Sequence, residues 1–279
     1  MSAAAGTWIR LAVRPSSADR REAVSAALFA AGSQGVHEDA DLLVTHVEPA
    51  AELDRFERAV HAADALATID RSEVEAVDWS VRWRDRIGAH TLGALTVSPP
   101  WLADRFDPAR TIVIEPQMAF GTGEHPTTRG VVRLMQGVIR AGDQVADLGA
   151  GSAVLGIAAA KLGAARVVAI ELDPDAIANA EENVAANGVG DRVTVVEGDA
   201  ALLLPLVAPV RVVLANIISS VLTELLPVIG RSLAPEGVAI LSGILVEERS
   251  GMLAVIARGG WRVVGEDVEE QWWSVSIGR

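Results

Sequence analysis

Apolar and polar positions change rhythm along the chain, and each change marks an element. In "TWIRLAVRP" (7–15) they alternate, the period of a half-buried strand. "SSADRREAVSAALFAAG" then offers Ser caps, early charges and apolar residues at helical spacing before a Gly stop. "SQGVHED" and "DLLVTHVEP" (41–49) predict a hairpin, and "AAELDRFERAVHAADAL" a second helix. This strand, helix, strand, strand, helix order describes a small α+β unit over residues 1–70, whose core is too small to serve the rest of the chain. Residues 71–105 differ. "EAVDWSVRWRDRIG" places Trp79 and Trp83 four apart, and "LTVSPPW" ends on Trp101, which predicts a linker helix and an extended segment with the tryptophans as packing anchors.

Residues 106–279 alternate strand-like and helix-like runs. The strands are placed at "TIVIEP", "QVADLG", "RVVAIELD", "RVTVVEGD", "VRVVLANI", "GVAILSGI", "GWRVVGED" and "WWSVSIG", with helices from about 127, 153, 174, 219 and 247. Repeated β-α alternation predicts a doubly wound, mostly parallel sheet with right-handed crossovers. In such sheets ligands sit at the carboxyl ends of the strands, where strand order reverses.

Composition narrows the classes. Half of the 279 residues are apolar, but the excess is mostly Ala and Val scattered among charges. The longest apolar run, 212–230, is broken by Asn216, Ser219, Ser220, Glu224 and Pro227, so it reads as a strand and a helix rather than a membrane span. A net charge of −13 argues against direct nucleic-acid binding and suits either a basic partner or simple solubility. Without cysteine there are no disulfides or thiolate metal sites, and the first residues lack the pattern of a secretory signal, so a cytoplasmic location is expected. The 23 arginines against one lysine, Lys161, carry no mechanism.

The chemistry concentrates at the predicted strand ends. In "VADLGAGSAVLGIAAAKLGA" (145–164) an apolar strand meets Asp147, then Gly149 and Gly151, then a helix; the glycines allow a sharp turn and close backbone approach to a ligand. Glu171 follows Gly149 by twenty-two residues at the end of the next strand, where a carboxylate can accept both hydroxyls of a ribose. Asp199, in "EGDA", and Asn216, in "LANIISS", end the third and fourth strands of this series. A nucleoside-bearing cofactor is implied. Spacing alone leaves a dinucleotide open, but the carboxylate of Asp147 beside the turn would repel a pyrophosphate and suits an ammonium, which favours S-adenosylmethionine. "MAFGTGEHPTTR" (118–129) lacks the Gly-Lys-Ser/Thr ending of a phosphate loop, and His125 has no metal-ligating neighbour beyond Glu124, so no metal is expected. As a helix start it works, with Pro126 in the first turn and Thr127 or Thr128 as the cap.

"MAFGTGEHPTT", the glycine turn, "ELDPDAIANAEENVAANGV", "LANIISSVL", "LAPEGVAILSGIL" and "EEQWWSVSIGR", in this order and spacing, resemble the PrmA family of class I, Rossmann-like S-adenosylmethionine-dependent methyltransferases, which modify a large-subunit ribosomal protein at lysine side chains or its N-terminal amine. The resemblance implies that Thr128, Gly149, Glu171 and Asn216 contact the cofactor, and that Phe120, Gly121 and Thr122 cover it near the methyl group. It also implies that the N-terminal module recognises the ribosomal protein. A neutral lysine nitrogen would be oriented by Asn216 and the backbone carbonyls that follow it, without a dedicated strong base.

Four residues depart from the family pattern. Ala150 replaces the usual Cys or Thr; Ala153 replaces Gly, at little cost if its backbone is helical; Glu171 replaces Asp and should keep the ribose contact. Glu124 stands where an uncharged residue or His is usual, and would put a negative charge near an incoming lysine. Rival readings are a methyltransferase of the same fold acting on another protein lysine or a small molecule, an NAD-dependent oxidoreductase, and a non-catalytic binding module.

Overall fold

The computed structural model describes residues 8–33, 35–39, 41–47, 53–74, 87–116, 121 and 123–279, and the chain divides into two compact units, 1–86 and 87–279. In the first unit β1 (Trp8–Arg14), α1 (Arg21–Ala30), β2 (His37–Asp39), β3 (Leu42–Val47), α2 (Leu53–Ala63) and β4 (Thr68–Val74) form an antiparallel sheet in the order β2-β3-β1-β4. Alternate residues Leu11 and Val13 of β1, with Leu43 of β3, meet Val24 and Leu28 of α1 and Phe56 and Val60 of α2. Strand β4 was not expected. Its sequence, "TIDRSEV", has too few apolar residues to show a period, yet as an edge strand it pairs with β1 along its whole length. The expected linker helix with Trp79 and Trp83 lies outside the described residues.

The second unit opens with β5 (His90–Leu92), β6 (Leu95–Ser98), a short helix α3 (Pro100–Ala103) and β7 (Thr111–Val113), which form a three-stranded sheet of their own. One expectation changes here: "TIVIEP" pairs in parallel with β6 rather than joining the large sheet. "LTVSPPW" is extended, as expected, over β6 and then enters a helix that starts on Pro100.

The large sheet follows: α4 (Pro126–Met135), β8 (Gln144–Leu148), α5 (Val154–Lys161), β9 (Arg166–Glu171), α6 (Pro174–Ala186), β10 (Val193–Glu197), α7 (Ala200–Val207), β11 (Val210–Asn216), α8 (Ser219–Ser232), β12 (Leu233–Leu245), α9 (Arg249–Arg258), β13 (Arg262–Glu269) and β14 (Trp272–Gly278). Its seven strands run β10-β9-β8-β11-β12-β14-β13, parallel except for β14, which is antiparallel to both neighbours. Both faces are covered, which is why the strands read as continuous apolar runs. Val145, Val167, Val212 and Leu214 pack under α4, α5 and α6, while their sequence neighbours Ala146, Val168, Val213 and Ala215 pack under α7, α8 and α9. Helix α7, "AALLLPLV", was not expected because it has no polar face to set a helical period and carries Pro205. No helix among the described residues is long and apolar enough to cross a membrane. Strand order reverses between β8 and β11, so Leu148, Glu171 and Asn216 end their strands around that crevice.

Candidate active site

At that reversal the protein holds a cavity of about 350 Å³, lined by His125 and Thr127 at the start of α4, Gly149 and Gly151 of the glycine turn, Glu171, Asn216, Ile217, Ile218, Gly243 and Trp272. The turn is drawn tight by two amides: Gly149 and Ala150 both donate to the carbonyl of Ile170, at 2.9 and 3.1 Å. Gly149 has φ 66°, and a Cβ there would lie 3.1 Å from Ile217 in the opposite wall. Glycine therefore keeps the cavity open as well as turning the chain.

Glu171 reaches back across the turn. Its Oε2 accepts from Gly151 N–H at 2.7 Å, and its Oε1 accepts from Leu172 and Asp173 N–H at 2.8 and 2.9 Å. Three N–H groups take three of roughly four acceptor positions of the carboxylate, so Glu171 braces the turn while still forming part of the wall. Asp147 sits beneath it, fully buried and not on the wall. One of its oxygens accepts from Gly156 N–H at 2.8 Å, and the other has no hydrogen-bond partner among the described residues. Burial pushes this carboxyl up to about 7, against the Gly156 hydrogen bond and with a smaller push from the charge of Glu171.

Asn216 lies on the wall, and its Nδ2 is 3.5 Å from Oγ1 of Thr128, which is wholly buried behind it. Thr128 thus meets the cavity through Asn216 rather than directly. The cap of α4 is neither threonine: the His125 ring fills that place, its Nδ1 accepting from Thr127 N–H at 3.4 Å and lying 2.7 Å from the Thr127 hydroxyl. Burial and the nearby Arg129 charge hold His125 below its ordinary pKa, against a smaller upward pull from Glu270. The ring meets Trp272 edge-on, with centroids 4.9 Å apart.

Three further expectations resolve differently. Asp199 is exposed and away from the wall, where its carboxylate caps α7 by accepting from Ala201 N–H at 2.8 Å. Ala153 is not helical but left-handed, with φ 62° and ψ 17°. The Glu124 carboxylate does not line the cavity; it accepts from Gly88 N–H at 3.1 Å and from His90 Nε2 at 2.9 Å. Phe120 and Thr122 lie outside the described residues.

Gly243 and Trp272 were not singled out from the sequence, although Gly243 left a signal. It is an isolated glycine in the apolar strand "GVAILSGIL", the mark of a bulge or a close backbone approach. Pairing of β12 with β14 does slip between Leu241 and Ile244, and a Cβ on Gly243 would lie 2.5 Å from the Ile217 carbonyl oxygen.

The profile of the family described as ribosomal protein L11 methyltransferase (PrmA) matches residues 45–279. The chain is 38% identical over 212 residues to the ribosomal protein L11 methyltransferase of Desulforamulus reducens, covering 75% of this chain and 68% of that one. It is 34% identical over 235 residues to the enzyme of that name from Streptococcus pyogenes, covering 84% and 72%. The crystal structure of the ribosomal protein L11 methylase from Lactobacillus delbrueckii subsp. bulgaricus superposes with a TM-score of 0.61 at 28% identity, covering 69% of this chain and 99% of that one. A doubly wound sheet, a glycine turn braced by the next strand's carboxylate and a match spanning most of the chain agree: this protein belongs to the ribosomal protein L11 methyltransferase (PrmA) family.

Proposed function

We propose that this protein methylates lysine side chains of ribosomal protein L11, using S-adenosylmethionine, in the cytoplasm. The observation that carries the reading is the charge of the cavity: among the described residues its wall holds the Glu171 carboxylate and no Lys or Arg. Such a site suits a cationic nucleoside and repels a pyrophosphate. Family membership supports the same substrate and cofactor.

When bound, S-adenosylmethionine would supply a sulfonium methyl whose carbon a neutral amine attacks in line, the N–C bond forming as the C–S bond to the departing thioether breaks. The protein's own part is to hold and prepare both partners. Glu171 offers its remaining acceptor capacity to a ribose hydroxyl. The unpartnered Asp147 oxygen, which lies behind the wall, suits an ammonium through a water, and Gly149 lets the ligand approach the backbone. Asn216, with Nδ2 directed to Thr128, has Oδ1 to accept from the substrate nitrogen and fix its lone pair. Ile217, Ile218 and Trp272 remove water from the amine, which lowers its pKa and favours the neutral form. A largely neutral His125 adds little charge against the incoming lysine. We assign Thr128, Asp147, Gly149, Gly151, Glu171 and Asn216 to cofactor binding, directly or by bracing, and the N-terminal α+β unit to recognition of the ribosomal protein.

The test is incubation with methyl-labelled S-adenosylmethionine and purified ribosomal protein L11, followed by mass spectrometry of labelled residues. Label on lysines, together with thermal stabilisation by S-adenosylmethionine and not by NADH, is the expected result. Stabilisation by NADH alone would overturn the reading.

A further inference from the structure

Glu124 is the family departure that the proposed chemistry leaves without a role, and its surroundings give it one. Its carboxylate accepts from Gly88 N–H and from His90 Nε2, so it is fastened to the stretch that leads into β5. Its own carbonyl oxygen accepts from an Arg129 Nη1–H. Arg129 in turn donates from Nε to Glu269 at 2.8 Å, at the end of β13 and three residues before Trp272. Glu269 is also held by Arg133, which lies one turn further along α4 and pairs with Asp267. The next residue, His125, caps α4, lines the cavity and contacts Trp272. Two ties thus converge on one peptide: the side chain of Glu124 pulls towards β5, and its carbonyl is drawn to the β13–β14 hairpin. A charge so engaged is not presented to the cavity.

We propose that Glu124 is a positioning residue: by clasping Gly88 and His90 it sets the place of His125 and, through it, the wall where the substrate amine is received. This deepens the methyltransferase reading and rests on it. It also reverses the expectation from the sequence, in which Glu124 would meet the substrate lysine as a charge. A hydrogen-bond acceptor is required at this position, and a negative charge is not, because a backbone N–H and an imidazole N–H bond a neutral oxygen as well.

The test compares Glu124→Gln, Glu124→Ala, His90→Ala and the Glu124→Ala/His90→Ala double variant in the full-length protein. Two readouts are used: kcat and KM for ribosomal protein L11, and amide hydrogen exchange of residues 123–129 without substrate. Glu124→Ala should lower kcat about tenfold, less than the roughly hundredfold a 1 Å misplacement can bring, with KM within about twofold, and should speed exchange across the start of α4. Glu124→Gln should stay within about twofold of the wild type in both readouts. His90→Ala should shift both in the direction of Glu124→Ala, and the double variant should be no worse than Glu124→Ala alone, the non-additivity of a shared contact.

If Glu124→Gln is as impaired as Glu124→Ala, or if Glu124→Ala raises KM alone while His90→Ala is silent, the residue reads substrate charge and the proposal fails. Unchanged exchange in Glu124→Ala also overturns it. A wild type that does not methylate L11 refutes the functional reading instead, and the exchange comparison still decides the clasp.

Discussion

Asn216 Nδ2 and Thr128 Oγ1 stand 3.5 Å apart, one on the cavity wall at the end of β11 and the other buried in the first turn of α4. The pair joins the end of β11 to the start of α4, the two segments that flank the proposed position of the substrate amine. At this separation the hydrogen bond is at its outer limit, and such contacts tighten when substrate binds. Asn216→Ala should therefore lower kcat about a hundredfold, since it removes both the acceptor and its orientation. Thr128→Val, which keeps the shape and loses the hydroxyl, should cost about tenfold, with Thr128→Ser restoring most of it. Far-UV circular dichroism that matches the wild type would show that each variant is folded.

Glu171 should matter to the turn before any ligand arrives. Glu171→Ala leaves Gly151 N–H without its acceptor, at a cost of about 1–3 kcal/mol for a buried donor and less here because the group is only partly buried. Isothermal titration should show weaker binding of S-adenosylmethionine, and urea denaturation a lower midpoint. Glu171→Asp is the sharper variant: one methylene shorter, it tests whether the reach to Gly151 needs glutamate.

Stability should fall as pH rises towards neutrality because of Asp147. Its carboxyl ordinarily titrates near 3.8 and in the folded protein near 7. Between those values the folded state holds the proton that the unfolded state has released, so each unit of rising pH removes up to about 1.4 kcal/mol, and the loss levels off above about 7. Asp147→Asn keeps an oxygen for Gly156 N–H and removes the titration. Its stability relative to the wild type should improve from pH 5 to about pH 7 and then level off, measured by urea denaturation at each pH. A constant difference would show that Asp147 is charged throughout.

Ala153→Gly should be close to neutral for stability. A left-handed Ala costs about 1–2 kcal/mol, but removing its buried methyl forfeits about 0.8 kcal/mol and glycine adds about 0.4–1 kcal/mol of unfolded-chain entropy. A thermal melt within a few degrees of the wild type is expected. Gly149→Ala is the contrasting case, with φ 66° and Ile217 3.1 Å from the new carbon; it should lose cofactor affinity.

Much of the catalytic unit was legible because a parallel sheet covered on both faces writes its strands as apolar runs, and glycine turns and acidic strand ends fall at fixed places between them. The same reading assigned "TIVIEP" to the large sheet because a three-residue strand in a small sheet has the same composition. The uniform apolarity of α7 hides any period, and Asp199, which the sequence places beside the cofactor, also serves as the cap of that helix. Trp272 was not singled out because its neighbour Trp273 has the same side chain, and only the register of β14 decides which one lines the cavity and which is buried in the core. Ala153 shows a limit of another kind: side-chain identity suggested a helical backbone where the turn imposes a left-handed one.

The most direct test of the account is a single-turnover reaction of the wild type and Asn216→Ala with methyl-labelled S-adenosylmethionine and ribosomal protein L11, with labelled residues located by mass spectrometry. The account predicts label on lysine side chains of L11 from the wild type, and a rate about a hundredfold lower from the folded variant, which still binds S-adenosylmethionine. Absence of label on L11 with the wild type, or equal rates from both proteins, would contradict it.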